Sequence, residues 1–295
     1  MSEAFCTCGR REVVSSRKNS PRRAGGREQL PFALVAAFYL TFGTFTSPAK
    51  AASEAEVDGA RVSLHVLADG STLRGALDID LKPGWKTYWL SPGPVGLAPR
   101  IDFSKSESAA SPQLSYPAPT RFREGEIESL GYTEPVGFAI EASPKPGARP
   151  LLRADLLIGL CRDICVPVQL QLEAEPDASL GTRAAVRRAF DALPIESESR
   201  AGWKAELSSD AKRLVIEGAP EAFAQTRDLF VAAPEGWAFG PPGFERDGGQ
   251  AVANVPVLAA PASAPRLDRV DLVLTDGEKS ELIRALPVGR DGPTQ

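Results

Sequence analysis

The stretch Leu151-Leu-Arg-Ala-Asp-Leu-Leu-Ile-Gly-Leu-Cys161-Arg-Asp-Ile-Cys165-Val-Pro-Val-Gln-Leu-Gln-Leu-Glu173 constrains this chain more tightly than any other. Two residues four apart on one straight strand lie roughly 13 Å apart at ~3.3 Å per residue. A disulfide needs Cα atoms about 4.4–6.8 Å apart. A bond between Cys161 and Cys165 therefore requires a turn, and Arg162-Asp163-Ile164 suits a three-residue hairpin loop. A helical turn also brings positions i and i+4 together, but Pro167 and the alternation downstream argue for strand.

Placing Cys161 opposite Cys165 sets Leu160 against Val166, Ile158 against Val168, Leu156 against Leu170 and Ala154 against Leu172. Every one of these even positions is apolar. The odd positions set Arg153 against Glu173, Asp155 against Gln171 and Leu157 against Gln169, so one register separates a buried face from a wetter one. Pro167 agrees: if the cysteines form a non-hydrogen-bonded pair, so do Gly159 and Pro167, and no ladder donor is lost. Both sulfurs are thus expected on the wetter face at a hairpin tip. Closing so short a loop stabilises the fold little, and a short, exposed bridge is the kind that exchanges. Arg162 favours a thiolate, while Asp163 opposes one. On these residues alone, an inert bridge in an exported β domain stays as open as an exchanging one.

That exported context is read from residues 1–51, expected to be a signal peptide. A basic stretch containing Arg10, Arg11, Arg17, Lys18, Arg22, Arg23 and Arg27 precedes the apolar run Leu30–Leu40, and Ala49-Lys50-Ala51 offers a small-x-small cleavage site. An uncleaved anchor is the alternative, since residues 29–49 carry no charge. With cleavage, Cys6 and Cys8 are removed and only Cys161 and Cys165 remain, which an oxidising periplasm is expected to join. Residues 52–295 then hold 26 Lys/Arg against 35 Asp/Glu, a poor balance for binding nucleic acid or anionic lipid.

The rest of the chain reads as mostly β. The 26 Gly and 26 Pro punctuate short alternating segments such as Val62–Val66 and Leu73–Ile79, so residues 52–175 are expected to form an immunoglobulin-like sandwich. Residues 176–200 are a helical connector, in which Asp177 or Ser179 caps a helix carrying Leu180, Val186, Phe190 and Leu193 on one side and Pro194 stops it. Residues 201–290 form a second, smaller β-rich domain with strands near Arg213–Ile216, Leu229–Ala232 and Val270–Leu274, and Ala259–Pro265 is a loop. Gly236-Trp237 echoes Gly84-Trp85, a thin hint of a degenerate copy.

Other chemistries fare poorly. One histidine, His65, on the parity of Ser63 and Leu67, reads as surface; with no methionine left after cleavage, two thiolates make a sparse soft-metal site. No Gly-x-Ser-x-Gly, phosphate loop or dinucleotide fingerprint occurs, so no hydrolase chemistry and no cofactor are expected. Glu124, Glu126 and Glu128 read as a solvated run, and Trp85-Lys-Thr-Tyr88-Trp89 as core and sheet-edge packing, with a lesser role in an apolar surface around the disulfide.

Gly84-Trp-Lys-Thr-Tyr-Trp89-Leu-Ser-Pro-Gly93, Tyr116-Pro-Ala-Pro-Thr-Arg-Phe122, Leu130-Gly-Tyr132 and Cys161…Cys165-Val-Pro167 follow in an order that resembles the N-terminal periplasmic domain of the DsbD/ScsB-type disulfide reductases. The resemblance covers roughly residues 60–175, and the helix and second β region look like the longer ScsB-type N-terminal part. It implies an immunoglobulin-like domain that shuttles electrons through its cysteine pair. The reductant is a membrane thiol transporter or thioredoxin-like protein; the acceptors are periplasmic disulfide isomerases or cytochrome c maturation thioredoxins. By position, Cys165 matches the cysteine that attacks the acceptor and Cys161 the resolving one. The family covers the pair with an aromatic-bearing cap loop, placed here on Phe122 to Tyr132. The C-x-x-x-C spacing is shorter than in the best-known members. Within these residues no transmembrane conduit or thioredoxin-like domain follows the second β region, so a separate protein is expected as reductant.

Overall fold

The alternating segments pair into two facing antiparallel sheets. The computed structural model describes residues 52–290 apart from 125–126, 219–220, 222, 248–249 and 263–265; the signal-peptide assignment lies outside the described residues. One sheet contains β1 (Glu54–Val57), β2 (Ala60–Asp69), β3 (Thr72–Leu81), β6 (Ala109–Ser115) and β9 (Val136–Pro144), in the order β1-β2-β3-β9-β6. The other contains β4 (Lys86–Tyr88), β5 (Arg100–Asp102), β7 (Thr120–Glu124), β8 (Ile127–Tyr132), β10 (Leu152–Cys161) and β11 (Cys165–Ala174). Its order is β11-β10-β4-β8-β7, with β5 paired to β10 beyond β4. The alternation puts Val62, Leu64, Val66, Leu77 and Ile79 of one sheet against Leu156, Ile158, Leu160 and Leu172 of the other in a single core. This is the two-sheet sandwich expected.

A helix, α1 (Leu180–Asp191), follows. Ser179 is its N-cap: its hydroxyl accepts from the Thr182 amide, while Asp177 accepts from the Ser179 amide and hydroxyl. Val186 and Ala189 pack on Ala76 and Ala139, on the outer face of the five-stranded sheet, with Phe190 and Leu193 at the edge. Leu180 does not share that face and is 86% exposed. At about 100° per residue it lies some 120° around the helix from Val186, which the expected one-sided stripe overlooked.

Residues beyond α1 form β12 (Ile195–Glu196), β13 (Lys204–Leu207), β14 (Arg213–Gly218), β15 (Asp228–Ala232), β16 (Ala238–Phe239), β17 (Gly243–Asp247), β18 (Gln250–Ala259), β19 (Arg269–Thr275) and β20 (Ser280–Arg290). They join in one nine-stranded sheet system in which β20 runs parallel to β12 and β13. This region encloses a core of its own around Leu214, Ile216, Leu229, Trp237, Val255 and Leu272. It also gives Phe230, Ala232 and Val273 to the core of the sandwich. The described residues belong to one compact unit, and none of their helices is long and apolar enough to cross a membrane.

Candidate functional site

The β10–β11 hairpin adopts the register that the side-chain pattern demands. Cys161 opposes Cys165, Gly159 opposes Pro167, and each pair back to Arg153–Glu173 follows in step. Cys161 and Cys165 are joined by a disulfide with Cα atoms 4.2 Å apart, close to the spacing of a non-hydrogen-bonded pair. Both cysteines share the outer face of their sheet, while Leu156, Ile158 and Leu160 point into the core.

The outer face is not wet at the tip, and here the expectation of two exposed sulfurs is corrected. Cys161 is only 1% exposed, whereas Cys165 is exposed. The cover comes from strands distant in sequence. In the sheet order β4 lies beside β10, with Thr87 opposite Leu160 and Lys86 opposite Cys161. Tyr88 therefore falls on the same face as Gly159 and Cys161, and lies across them. Its hydroxyl sits 2.9 Å from both sulfurs and acts as the donor, because a disulfide sulfur carries no hydrogen. Phe122 of β7, its ring centroid 6.0 Å from that of Tyr88, completes a small buried cluster with Cys161, against which Leu97 packs.

Two glycines make room for this cover. A Cβ on Gly159 would stand 2.7 Å from the Tyr88 ring, and one on Gly131 would stand 2.0 Å from the Thr87 carbonyl and 3.0 Å from the Phe122 ring. The Thr87 hydroxyl donates to the Gly159 carbonyl at 3.0 Å, pinning β4 to β10. A glycine inside a strand marks close approach of another group, and Gly159 was the sequence signal for the buried sulfur. The Trp85–Trp89 run thus divides. Trp89 is core, as expected; Tyr88 lies over the disulfide; Trp85 takes the Arg162 guanidinium at 5.3 Å from its ring.

The cationic surroundings exceed what Arg162 alone suggested. Arg162 is paired with Asp163 at 3.0 Å, which offsets it. Lys86, directly across the ladder from Cys161, holds its ammonium 5.3 Å from the centre of the Phe122 ring. A cation that shares the cysteines' strand face favours the thiolate once the bond opens.

The cap placed on Phe122 to Tyr132 corresponds to the β7–β8 hairpin, with Phe122 as its covering ring. Tyr132 points the other way into the core and donates to the Pro117 carbonyl at 2.9 Å. Glu128 accepts from Arg121 at 3.0 Å; the side chains of Glu124 and Glu126 lie outside the described residues. His65 is on the five-stranded sheet, 3.7 Å from Asp78 and remote in topology from the cysteines. Burial raises the Asp78 carboxyl above its ordinary value, against the pull of His65 and Arg188. A cleft of about 630 Å³ runs between Tyr116, Glu141, Phe190 and Arg284 and includes no cysteine. Among the described residues no cluster of three or more metal-ligating side chains occurs.

Residues 55–176 match the family model for the N-terminal part of the thiol:disulfide interchange protein DsbD. A solved structure, the N-terminal periplasmic domain of ScsB from Proteus mirabilis, superposes with a TM-score of 0.63 at 22% identity. The superposition covers 81% of this chain and 99% of that one, so it takes in the second β region as well as the sandwich. Among curated proteins no sequence match is found.

Proposed function

We propose that this chain, whose residues 55–176 form an N-terminal domain of the DsbD thiol:disulfide interchange family, is a periplasmic thiol–disulfide exchange protein working through Cys161 and Cys165. The observation that carries the reading is the asymmetry of the bridge. Cys165 is exposed and Cys161 is buried, with the Tyr88 hydroxyl 2.9 Å from both sulfurs.

The chemistry follows from that asymmetry. A thiolate of a membrane thiol transporter or thioredoxin-like reductant attacks the Cys165 sulfur, and Cys161 leaves as a thiolate beside Lys86 and under the Tyr88 hydroxyl. The reductant's second thiolate then releases Cys165, so two electrons and two protons pass to this chain. In the forward half, the Cys165 thiolate attacks an acceptor disulfide, such as that of a periplasmic isomerase or a thioredoxin-like protein, and expels one acceptor thiolate. Cys161 attacks Cys165 in the mixed disulfide, expels the second acceptor thiol and restores the bridge. Cys165 is thus the attacking residue and Cys161 the resolving one. Residues 52–175 are the redox domain, and no cofactor enters either half.

The burial of Cys161 favours one competing reading, a purely structural bridge in a binding or chaperone-like module. The two part company in one experiment. Cys161→Ala should leave Cys165 captured in mixed disulfides with thioredoxin-like partners, and the bridge should have a reduction potential above about −300 mV. A potential well below that figure, with no captured partner, would establish the structural role.

A further inference from the structure

Successive residues of a strand face opposite ways, and both strands that cover the disulfide exploit this. Tyr88, the last residue of β4, faces the sulfurs, while Trp89, the next in the chain, faces the core. In β7, Phe122 faces the sulfurs while Arg121 faces away. Both away-facing side chains meet the same strand of the cysteine-free second region, β15. The Trp89 ring meets Phe230 edge-on at 6.2 Å, and the Arg121 guanidinium lies 5.1 Å from the centre of the same ring. Arg121 also grips Asp228 with two nitrogens at 2.7 and 3.0 Å, and donates to the Leu229 carbonyl at 3.0 Å. Its side chain is 14% exposed and that of Asp228 24%, so this fork is shielded from water far better than a surface pair.

We infer that β15 is a positioning element for the disulfide's cover: by holding Arg121 and Trp89 from behind, it keeps Phe122 and Tyr88 seated and so limits how readily an external thiol reaches the bridge. The inference rests on the exchange reading above and gives the second β region a role in it. Asp228 and Phe230 are positioning residues, since neither touches a sulfur.

The test uses the mature chain and dithiothreitol as the probe, whose two thiols are oxidised to its cyclic disulfide as Cys161 and Cys165 are reduced. The rate constant for reduction is measured in Asp228→Asn, which removes the charge and one of the fork's two acceptors and leaves Glu128 as the one carboxylate on Arg121. Reduction should be faster by about tenfold, the scale of one lost charge-assisted hydrogen-bonded pair. Arg100→Gln is the control: it breaks Arg100–Glu235, a bridge to the same region that is exposed on both sides, and should leave the rate unchanged. In a Phe122→Ala background, already fast, Asp228→Asn should add nothing further. A merely structural role would lower thermal stability without this non-additivity. Should Asp228→Asn not fold, Phe230→Leu asks the same question, because it keeps apolar volume and removes the ring that both Trp89 and Arg121 meet. Wild-type reduction rates in a folded variant would overturn the inference. So would equal acceleration with and without Phe122. Reduction by a small thiol needs no protein partner, so failure here is distinguishable from failure of Cys161→Ala to capture one.

Discussion

The two ends of the β10–β11 hairpin share a sheet face, a register and an alternation, yet differ in what lies over them. At the root, β5 pairs with β10 through Asp155, Leu156 and Leu157, and the outer face is charged and open. There Arg153 meets Glu173 at 2.7 Å and Lys105 meets Asp155 at 2.7 Å. At the tip, β4 takes the place of β5, and Tyr88 lies over Gly159 and Cys161. The outer face of β10 is thus solvated over its first half and covered over its second, where only the neighbouring strand changes, while β11 stays exposed at Cys165 and Pro167. Parity decides which way a side chain points, and the adjacent strand decides whether water is there to meet it.

The largest effect should come from filling the space that separates the two environments. Gly159→Val places a branched side chain where even a Cβ would stand 2.7 Å from the Tyr88 ring and 3.1 Å from Leu97. Phe122 and the close passage of Gly131 past Thr87 block the easy retreats for that ring. Overpacking of this kind costs about 1–3 kcal/mol. Unfolding in urea should therefore shift by that amount, and the bridge should be reduced faster by dithiothreitol in the folded protein. If stability and reduction rate both stayed at wild-type values, the tip would be as loosely covered as the root, and the contrast would fail.

How much of this was legible in the sequence follows the same division. The register from Arg153–Glu173 to Cys161–Cys165 could be read because each apolar residue and its opposite number lie within one 23-residue stretch, and a one-residue slip would turn all of them over. The cap of α1 was legible for a similar reason, since Ser179 and Thr182 are three residues apart. The burial of Cys161 left only Gly159 as a local trace, because its cover arrives from Tyr88 and Phe122, far upstream and brought in only by the strand order β10-β4-β8-β7. The link from Arg121 to Asp228 was further out of reach, spanning more than a hundred residues with no pattern in either stretch to announce it.

A smaller effect, and a sharper probe of the tip, is expected from Tyr88→Phe. The ring and its packing stay, and only the hydroxyl 2.9 Å from each sulfur is lost. A disulfide sulfur is a weak acceptor and a thiolate a strong one, so the hydroxyl stabilises the reduced state more. Removing it should make the bridge harder to reduce. A loss of about 1 kcal/mol corresponds to roughly 20 mV toward more negative potential. The same loss should raise the pKa of the Cys161 thiol, measurable from the pH dependence of its alkylation in a Cys165→Ala variant. Lys86→Gln should raise it too, since Lys86 sits across the ladder from the same sulfur. A potential that moved upward in Tyr88→Phe would mean that the hydroxyl favours the oxidised bridge, and the sealed tip would then be protecting the disulfide instead of preparing it to open.

The root supplies the smallest change and the test of whether the face is truly divided. Arg153 and Glu173 form a cross-strand pair, but the arginine side chain is 43% exposed, so solvent screens the interaction and holding the long side chain in place costs entropy. Arg153→Ala should lower stability by at most about 1 kcal/mol, and the reduction rate and potential should stay at wild-type values. That outcome would confine the redox-relevant surroundings to the tip. If Arg153→Ala instead shifted the potential as far as Tyr88→Phe does, the charge at the root would be acting on the sulfurs along the length of the hairpin. The disulfide's surroundings would then have to be redrawn to take in the whole outer face.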